Sequence, residues 1–323
     1  MDRIVVEDLR KLFAMSRIIS WLSTKNGKRF TAWSIGVSCF STFGAVFVIH
    51  GPYKENVREL VQLHNRGKPK PLSDKVQGIV KEVLKDCKLK EDEKEKLKFF
   101  NVIGEDLFHL GGTNSPWGAS IGLPFFIEAA EDINFTALRL QQHESIDWIV
   151  EGQDLIEALT IPDNAKKFVI MREIYACDIW DKLDNTLLIP VCIAFSALLS
   201  KRVNTWRNAF KKPLKSRLAV YALCYSVGFI LYRLLKDPMK HIAEKKYDEL
   251  AALTGPDYLE GGIEYYQHML MRNKALRELL GKKGLKRYDE NGNENYFILA
   301  PKLPTSKRVE LLKKLKEDNF QDA

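Results

Sequence analysis

The five cysteines of this 323-residue chain, Cys39, Cys87, Cys177, Cys192 and Cys224, form no Cys-x-x-Cys or comparably spaced pair. That excludes a zinc ribbon and gives no ground for a disulfide framework. The histidines, His50, His64, His109, His143, His241 and His268, include no pair four residues apart, so a His-x-x-x-His metal helix is missing as well. No Walker lysine-serine pair follows the glycine-rich stretch, and no aromatic-basic motif of an RNA-binding fold occurs. Acidic residues are absent from two stretches, Phe30 to Ile49 and Lys201 to Arg217, and those gaps organise the chain.

Phe30 to Ile49 is twenty residues without a charge, enough at about 1.5 Å per residue to cross a hydrocarbon core of roughly 30 Å. Asn185 to Ser200 is shorter and contains Pro190, and a run of this length fits a buried core helix as well as a span. Leu218 to Leu235 carries a single charge, Arg233, near its end, where the guanidinium can snorkel toward headgroups. Between these two runs, Lys201, Arg202, Arg207, Lys211, Lys212, Lys215 and Arg217 stand unopposed, the mark of a hairpin loop kept on the positive-inside face. Lys25, Lys28 and Arg29 place the N-terminus on that same face. The net charge of +8 is therefore largely topological: without the loop's seven positive charges the remainder is +1, which removes the main support for nucleic-acid binding.

These features divide the chain into an amphipathic segment 1–29, spans at 30–49, 185–200 and 218–235, a basic loop 201–217, and polar segments 51–184 and 236–323. The polar segments fall on one side of the membrane. The N-terminal segment contains Asp2, Glu7 and Asp8, unlike an acid-poor mitochondrial transit peptide, and reads as retained.

Within the polar segments, Ser73 is placed to cap a helix carrying Val76, Ile79, Val80 and Val83 on one face. Lys88 to Lys98 is nearly all charge and reads as solvated. Ala119 to Ile127 is the best strand candidate, and Gly122 with Pro124 suits an edge position. A helix opened by Pro162 or Asp163 runs to about Leu183, and only Arg172 and Glu173 are charged between Phe168 and Cys177. Such a helix is buried, so at least one of those charges needs a partner. Gly261 to Leu280 forms a further helix, Lys286 to Tyr288 and Tyr296 to Leu299 form short strands about a turn at Asp289 to Asn293, and Ser306 to Glu317 forms a closing amphipathic helix.

The order Arg172-Glu173-x-x-Ala176, membrane hairpin, Glu244-x-x-x-Asp248 resembles the membrane zinc peptidases of the HtpX and CAAX-prenyl-protease type. There a His-Glu-x-x-His helix precedes the hairpin and a Glu-x-x-x-Asp helix brings the third zinc ligand. Here Arg172 and Ala176 stand at the histidine positions, and an arginine does not deprotonate to ligate zinc. The expected fold is a mainly α membrane protein, three transmembrane helices with an α+β soluble domain resembling an inactive gluzincin-type peptidase, without catalytic residues, cofactor or metal. Arg172, Glu173, Glu244 and Asp248 are expected to form a buried ion-pair site, with Arg172 within reach of Glu244. Ser120, Ile121, Leu123 and Phe125 are expected to present an open strand edge to an extended client.

Over most of its length the chain also resembles the transmembrane protein 177 family of the mitochondrial inner membrane. The match is carried by Gly118-Ala-Ser-Ile-Gly-Leu-Pro124, Ala165-Lys-Lys-Phe-Val-Ile-Met-Arg-Glu173, Gly261-Gly-Ile-Glu-Tyr-Tyr266 and Asn273-Lys-Ala-Leu-Arg-Glu-Leu-Leu-Gly281. The resemblance implies a role in cytochrome c oxidase biogenesis, with newly made subunit 2 and its membrane chaperone as partners alongside inner-membrane lipids. Combined with the charge pattern, it puts the N-terminus and the 201–217 loop in the matrix and the soluble domain in the intermembrane space. A structural accessory subunit of an inner-membrane complex and, further off, an active zinc metallopeptidase are the alternatives.

Overall fold

A computed structural model of the chain describes residue 21 and residues 24–128, 151–208, 214–296 and 300–320. Of the amphipathic segment expected over 1–29, residues 1–20, 22 and 23 lie outside the described residues, and Lys25 to Arg29 open the first helix. The chain forms two compact units, Met1–Phe47 with Lys182–Lys236, and Val48–Asp181 with Asp237–Ala323. The architecture is mostly helical with a small sheet part.

The first unit holds the membrane-length helices. α1 spans Lys25–His50. In the second polar segment's direction come α8 (Ile179–Trp206) and α9 (Leu214–Ala252), which continues into the second unit from Asp237. Among the described residues three stretches are long and apolar enough to cross a membrane: Lys25–His50, Thr186–Trp206 and Ser216–Ala252. Their large apolar side chains, among them Trp33, Phe40, Leu198, Leu223 and Phe229, are exposed, as a lipid-facing surface requires. The basic loop expected over 201–217 is shorter than its charge pattern suggests, because α8 runs through Trp206 and α9 starts at Leu214.

Within this unit α8 presents buried Cys192, Ser196, Ser200 and Asn204 at four-residue intervals, and α9 presents buried Val220, Cys224 and Gly228 at the same interval. Small residues let two backbones approach where lipid supplies no hydrophobic drive. A Cβ on Gly228 would overlap Ser196 Oγ, whose hydroxyl donates to the Cys192 carbonyl at 2.7 Å. Gly228→Val is therefore expected to destabilise the α8–α9 pair by about 1–3 kcal/mol. A lower midpoint in detergent-to-SDS unfolding is the measurement, and an unchanged midpoint would contradict this packing.

The second unit begins with α2 (Lys54–Val61), the two-residue strands β1 (His64–Asn65) and β2 (Lys68–Pro69), α3 (Asp74–Asp86) and α4 (Glu91–Glu95). Ser73 Oγ accepts the Val76 N–H at 3.3 Å as the cap of α3, and Val76, Ile79, Val80 and Val83 are buried. β3 (Leu97–Asn101), β4 (Phe108–Gly111) and β5 (Ala119–Leu123) form one mixed sheet in the order β3-β5-β4. β5 runs parallel to β3, with Phe99 opposite Ile121, and antiparallel to β4, with His109 opposite Ile121. Thus Leu97 and Lys98, expected in a solvated stretch, belong to a strand, and Leu97 is buried.

The remaining elements are α5 (Phe125–Glu128), α6 (Glu151–Leu159), α7 (Asp163–Ala176), α10 (Pro256–Leu279), α11 (Lys282–Arg287) and α12 (Thr305–Phe320). α7 is the centre of the unit: Phe168, Val169, Ile170 and Met171 are fully buried, which is why its apolar residues show no single face. It ends at Cys177, short of the Leu183 expected from sequence, where the Cys177 carbonyl accepts the Thr113 N–H at 2.8 Å. α10 packs along α7, and α6 and α12 pack on α10. A Cβ on Gly261 would overlap the Asn164 carbonyl, so only glycine allows α10 this close to the start of α7. The strand expected at Lys286 to Tyr288 is instead the end of α11 followed by an isolated Tyr288–Glu294 bridge; Phe297 to Leu299 lie outside the described residues.

The strand expectation over Ala119 to Ile127 is corrected in two respects. β5 ends at Leu123, since Pro124 has no N–H to continue the ladder, and Phe125 opens a short helix. β5 is also the central strand, hydrogen-bonded on both sides, and Ser120, Ile121 and Leu123 are fully buried. These residues present no open edge.

Candidate functional site

Five elements of the second unit send charged or phenolic groups to one place. From α7 come Arg172 and Glu173, from α9 Glu244 and Asp248, from α10 Tyr266, from α12 Arg308, and from β4 His109. Glu244 and Asp248 lie one helical turn apart and share a face. Arg172 Nε donates to Asp248 Oδ1 at 2.7 Å, and its Nη1 pairs with Glu173 Oε1. Tyr266 donates to Asp248 Oδ1 at 2.6 Å. Arg308 Nη1 reaches Asp248 Oδ2 at 3.2 Å and the Tyr266 oxygen at 2.7 Å, while its Nη2 pairs with Glu244. Glu244 Oε2 also accepts the Leu303 N–H at 2.8 Å. His109 Nδ1 lies 2.7 Å from Glu173 Oε2.

The network is buried: Glu173 is 1% exposed, Asp248 4% and Arg308 7%. Arg172 and Arg308 carry two positive charges against three carboxylates, Glu173, Asp248 and Glu244, and Lys240 lies 4.0 Å from Glu244. Burial by itself pushes the Glu173 carboxyl up, but the Arg172 guanidinium, joined by His109, overrides it and holds the group down at about 2. Burial pushes the Tyr265 hydroxyl up to about 12, against the opposing pull of Arg272 and Arg172, and pushes Tyr266 higher still, so both phenols remain donors at neutral pH.

Because the folded carboxyl of Glu173 titrates below the ordinary 4.5, its ionised form stabilises the fold. The contribution is present above pH 4.5 and is lost as pH falls toward 2; at about 1.4 kcal/mol per unit it amounts to about 3 kcal/mol. Acid unfolding of Glu173→Gln should therefore be flatter across that window than wild type. Identical slopes would show that Glu173 is not held ionised by the network.

Above the network lies a cavity of about 330 Å³ lined by Leu107, His109, Arg172, Tyr265, Arg272 and Leu303 among others. The structure thus joins Arg172, Glu173 and Asp248 directly, whereas the Arg172–Glu244 pair expected from sequence is not among the ion pairs of the described residues; Arg308 stands between them. Sequence reasoning missed Arg308, His109 and Tyr266. Arg308 carried a legible signal, since it shares the apolar face of α12 with Leu312, four residues on, and a charge on a buried face needs a partner. Gly118-Ala-Ser-Ile-Gly122 also matches the Gly-x-Ser-x-Gly nucleophile pattern. Its serine is not on a strand-to-helix elbow: Ser120 sits in mid-strand, fully buried, its hydroxyl without a hydrogen-bond partner. Among the described residues no three His, Cys, Asp or Glu side chains gather as a metal site.

The fold and site define a membrane protein with three candidate spans, whose second unit is closed by a buried ion-pair network. The sequence model of transmembrane protein 177 matches residues 22–321, and the chain belongs to that family. It is 29% identical to transmembrane protein 177 of Danio rerio over 293 residues, covering 88% of this chain and 93% of the relative. It is likewise 29% identical to the Rattus norvegicus protein over 279 residues, 85% and 89% of the two chains, and to the Homo sapiens protein over 257 residues, 79% and 82%. No solved structure gives a significant match.

Proposed function

We propose that the protein is a non-catalytic assembly or stabilising factor for cytochrome c oxidase, holding newly made subunit 2 and its membrane chaperone in the mitochondrial inner membrane. Its N-terminus and the 201–217 loop then face the matrix, and its second unit faces the intermembrane space. Family membership and the basic hairpin support this placement. The observation that carries the non-catalytic reading is the mutual pairing of Arg172, Glu173, Glu244, Asp248 and Arg308. Groups at the positions of a peptidase's ligands are spent on one another, and Arg172 supplies no lone pair to a metal.

The test is pulse-labelling of mitochondrial translation followed by capture on the tagged full-length chain. Labelled subunit 2 should be recovered early and lost during the chase. Failure to recover it, with constant stoichiometry to one complex on native gels, would instead identify a structural accessory subunit. Stoichiometric zinc in the purified protein would restore the peptidase alternative.

A further inference from the structure

With β5 at the centre of the sheet, its open edge has to be sought elsewhere, and the hydrogen-bond alternation locates it. In an antiparallel pair, successive residues direct their N–H and C=O alternately toward and away from the partner strand. The Gly112 N–H reaches the Gly118 carbonyl across the pair, and the Gly111 N–H turns away from β5 to His50 Nδ1 at 3.2 Å. Phe108 and Leu110 therefore bond inward to β5, and the His109 N–H and C=O point to the other side of β4, where the described residues place no strand. The cavity touches Leu107 and His109 and no residue of β5.

The charges lining the cavity are unevenly used. Arg172 and Arg308 are consumed by the buried carboxylates, Lys302 lies 3.5 Å from Asp106, and Lys240 lies 4.0 Å from Glu244. Arg272 differs from these four. Among the described residues it has no carboxylate partner; it donates to the neighbouring Asn273 Oδ1 at 3.2 Å and lies over the Phe126 ring at 5.9 Å. Beside it Tyr265 keeps its phenolic proton. A guanidinium and a phenol lining one cavity are donors for a carboxylate. Five basic and five acidic residues line the cavity, Arg172, Lys240, Arg272, Lys302 and Arg308 against Glu105, Asp106, Glu173, Glu244 and Glu294. That balance disfavours a free anion, which would have to be held by field alone, and favours a ligand that also uses the main-chain edge.

We infer that this cavity binds an extended acidic segment of a partner protein as an added strand on β4, with one carboxylate of that segment on Arg272. The inference rests on the scaffold reading above and supplies its contact site. Main-chain pairing to His109 sets the peptide direction, and Arg272 selects for an acidic side chain.

The probe is a fluorescein-labelled (Val-Glu)4 peptide, compared with (Val-Lys)4 and with (Val-Glu)4 N-methylated at alternate residues, titrated against the full-length chain in detergent by anisotropy. The acidic peptide should bind, and the basic and N-methylated peptides should bind at least tenfold more weakly. Arg272→Ala should weaken the acidic peptide about tenfold, as expected for loss of a charge-assisted contact, while Arg272→Lys retains part of the binding. Equal binding of acidic and basic peptides, indifference to N-methylation, or an Arg272→Ala protein that binds as wild type would each overturn the site. Capture of pulse-labelled subunit 2 separates the two claims. If wild type and Arg272→Glu capture it equally, the site is wrong and the assembly role stands; if wild type captures none, the assembly role falls whatever the peptides do.

Discussion

Asp248→Ala is expected to destabilise the second unit by about 3–5 kcal/mol, the loss typical of removing one partner from a buried ion pair. Asp248 accepts from Arg172, Arg308 and Tyr266 at once. Its removal takes an acceptor from both guanidiniums and from the Tyr266 hydroxyl at once, leaving Arg172 with Glu173 and Arg308 with Glu244, and neither arginine can shed its charge, because arginine stays protonated in proteins. Burial works against the charged form of Arg308, but Tyr266 and the carboxylates of Asp248 and Glu244 outweigh it and raise its affinity for the proton. Asp248→Asn should be milder, since an amide oxygen still accepts hydrogen bonds while the charge is lost. The measurement is thermal unfolding of the full-length protein in detergent, followed through protease resistance of the second unit. Loss of less than about 0.5 kcal/mol, the range of an ordinary surface substitution, would mean that the network contributes nothing to holding α7, α9, α10 and α12 together.

The same network shows what a sequence discloses about such a site. Its helical half was legible: Arg172 and Glu173 are isolated charges in an apolar helix, and Glu244 and Asp248 recur at one helical turn. These patterns are local, and local spacing fixes which side chains share a face. The partners were less so. His109 comes from a strand, Arg308 from a helix sixty residues beyond Asp248, and nothing local states that a third element will enter between Arg172 and Glu244. Arg172 and Glu244 join one network through Asp248 and Arg308, and a direct pair between them is not among the ion pairs of the described residues.

Strand order was hidden for a related physical cause. Gly122 and Pro124 in the Ala119 to Ile127 run suggested an edge, but each has a narrower meaning. Pro124 ends the strand. Gly122 leaves room for close neighbours, since a Cβ there would press on Val102 Cβ at 2.9 Å and on the Phe100 ring at 3.0 Å. A glycine required by tight packing at the middle of a sheet and one tolerated at an edge look the same in one sequence. By contrast the membrane-length runs were legible from composition, most plainly Phe30 to Ile49, because a charge-free stretch of twenty residues needs no tertiary information. Only their ends differ: α1 starts at Lys25 and α9 continues to Ala252, since helix propensity persists past the apolar run.

The second large effect is expected at Phe168. This side chain is fully buried at the crossing of α7 and α10, its ring meeting that of Tyr266 edge-on at 5.9 Å. Phe168→Ala should cost about 3–5 kcal/mol through lost burial and the cavity left behind. The facing residue on α10 is Gly262, where a Cβ would sit 2.7 Å from the Phe168 ring and 2.9 Å from Leu312 Cδ1. Gly262→Ala alone should therefore destabilise, despite the gain of about 1 kcal/mol that alanine brings to a helix interior. In the Phe168→Ala background the ring is gone, Leu312 can shift at its flexible end, and the propensity gain should be recovered in part. The two substitutions together should then cost less than the sum of their separate costs, by about 1 kcal/mol or more. A double-mutant cycle on the full-length protein measures this coupling. Strict additivity would mean that the close α7–α10 approach is not what requires glycine at 262.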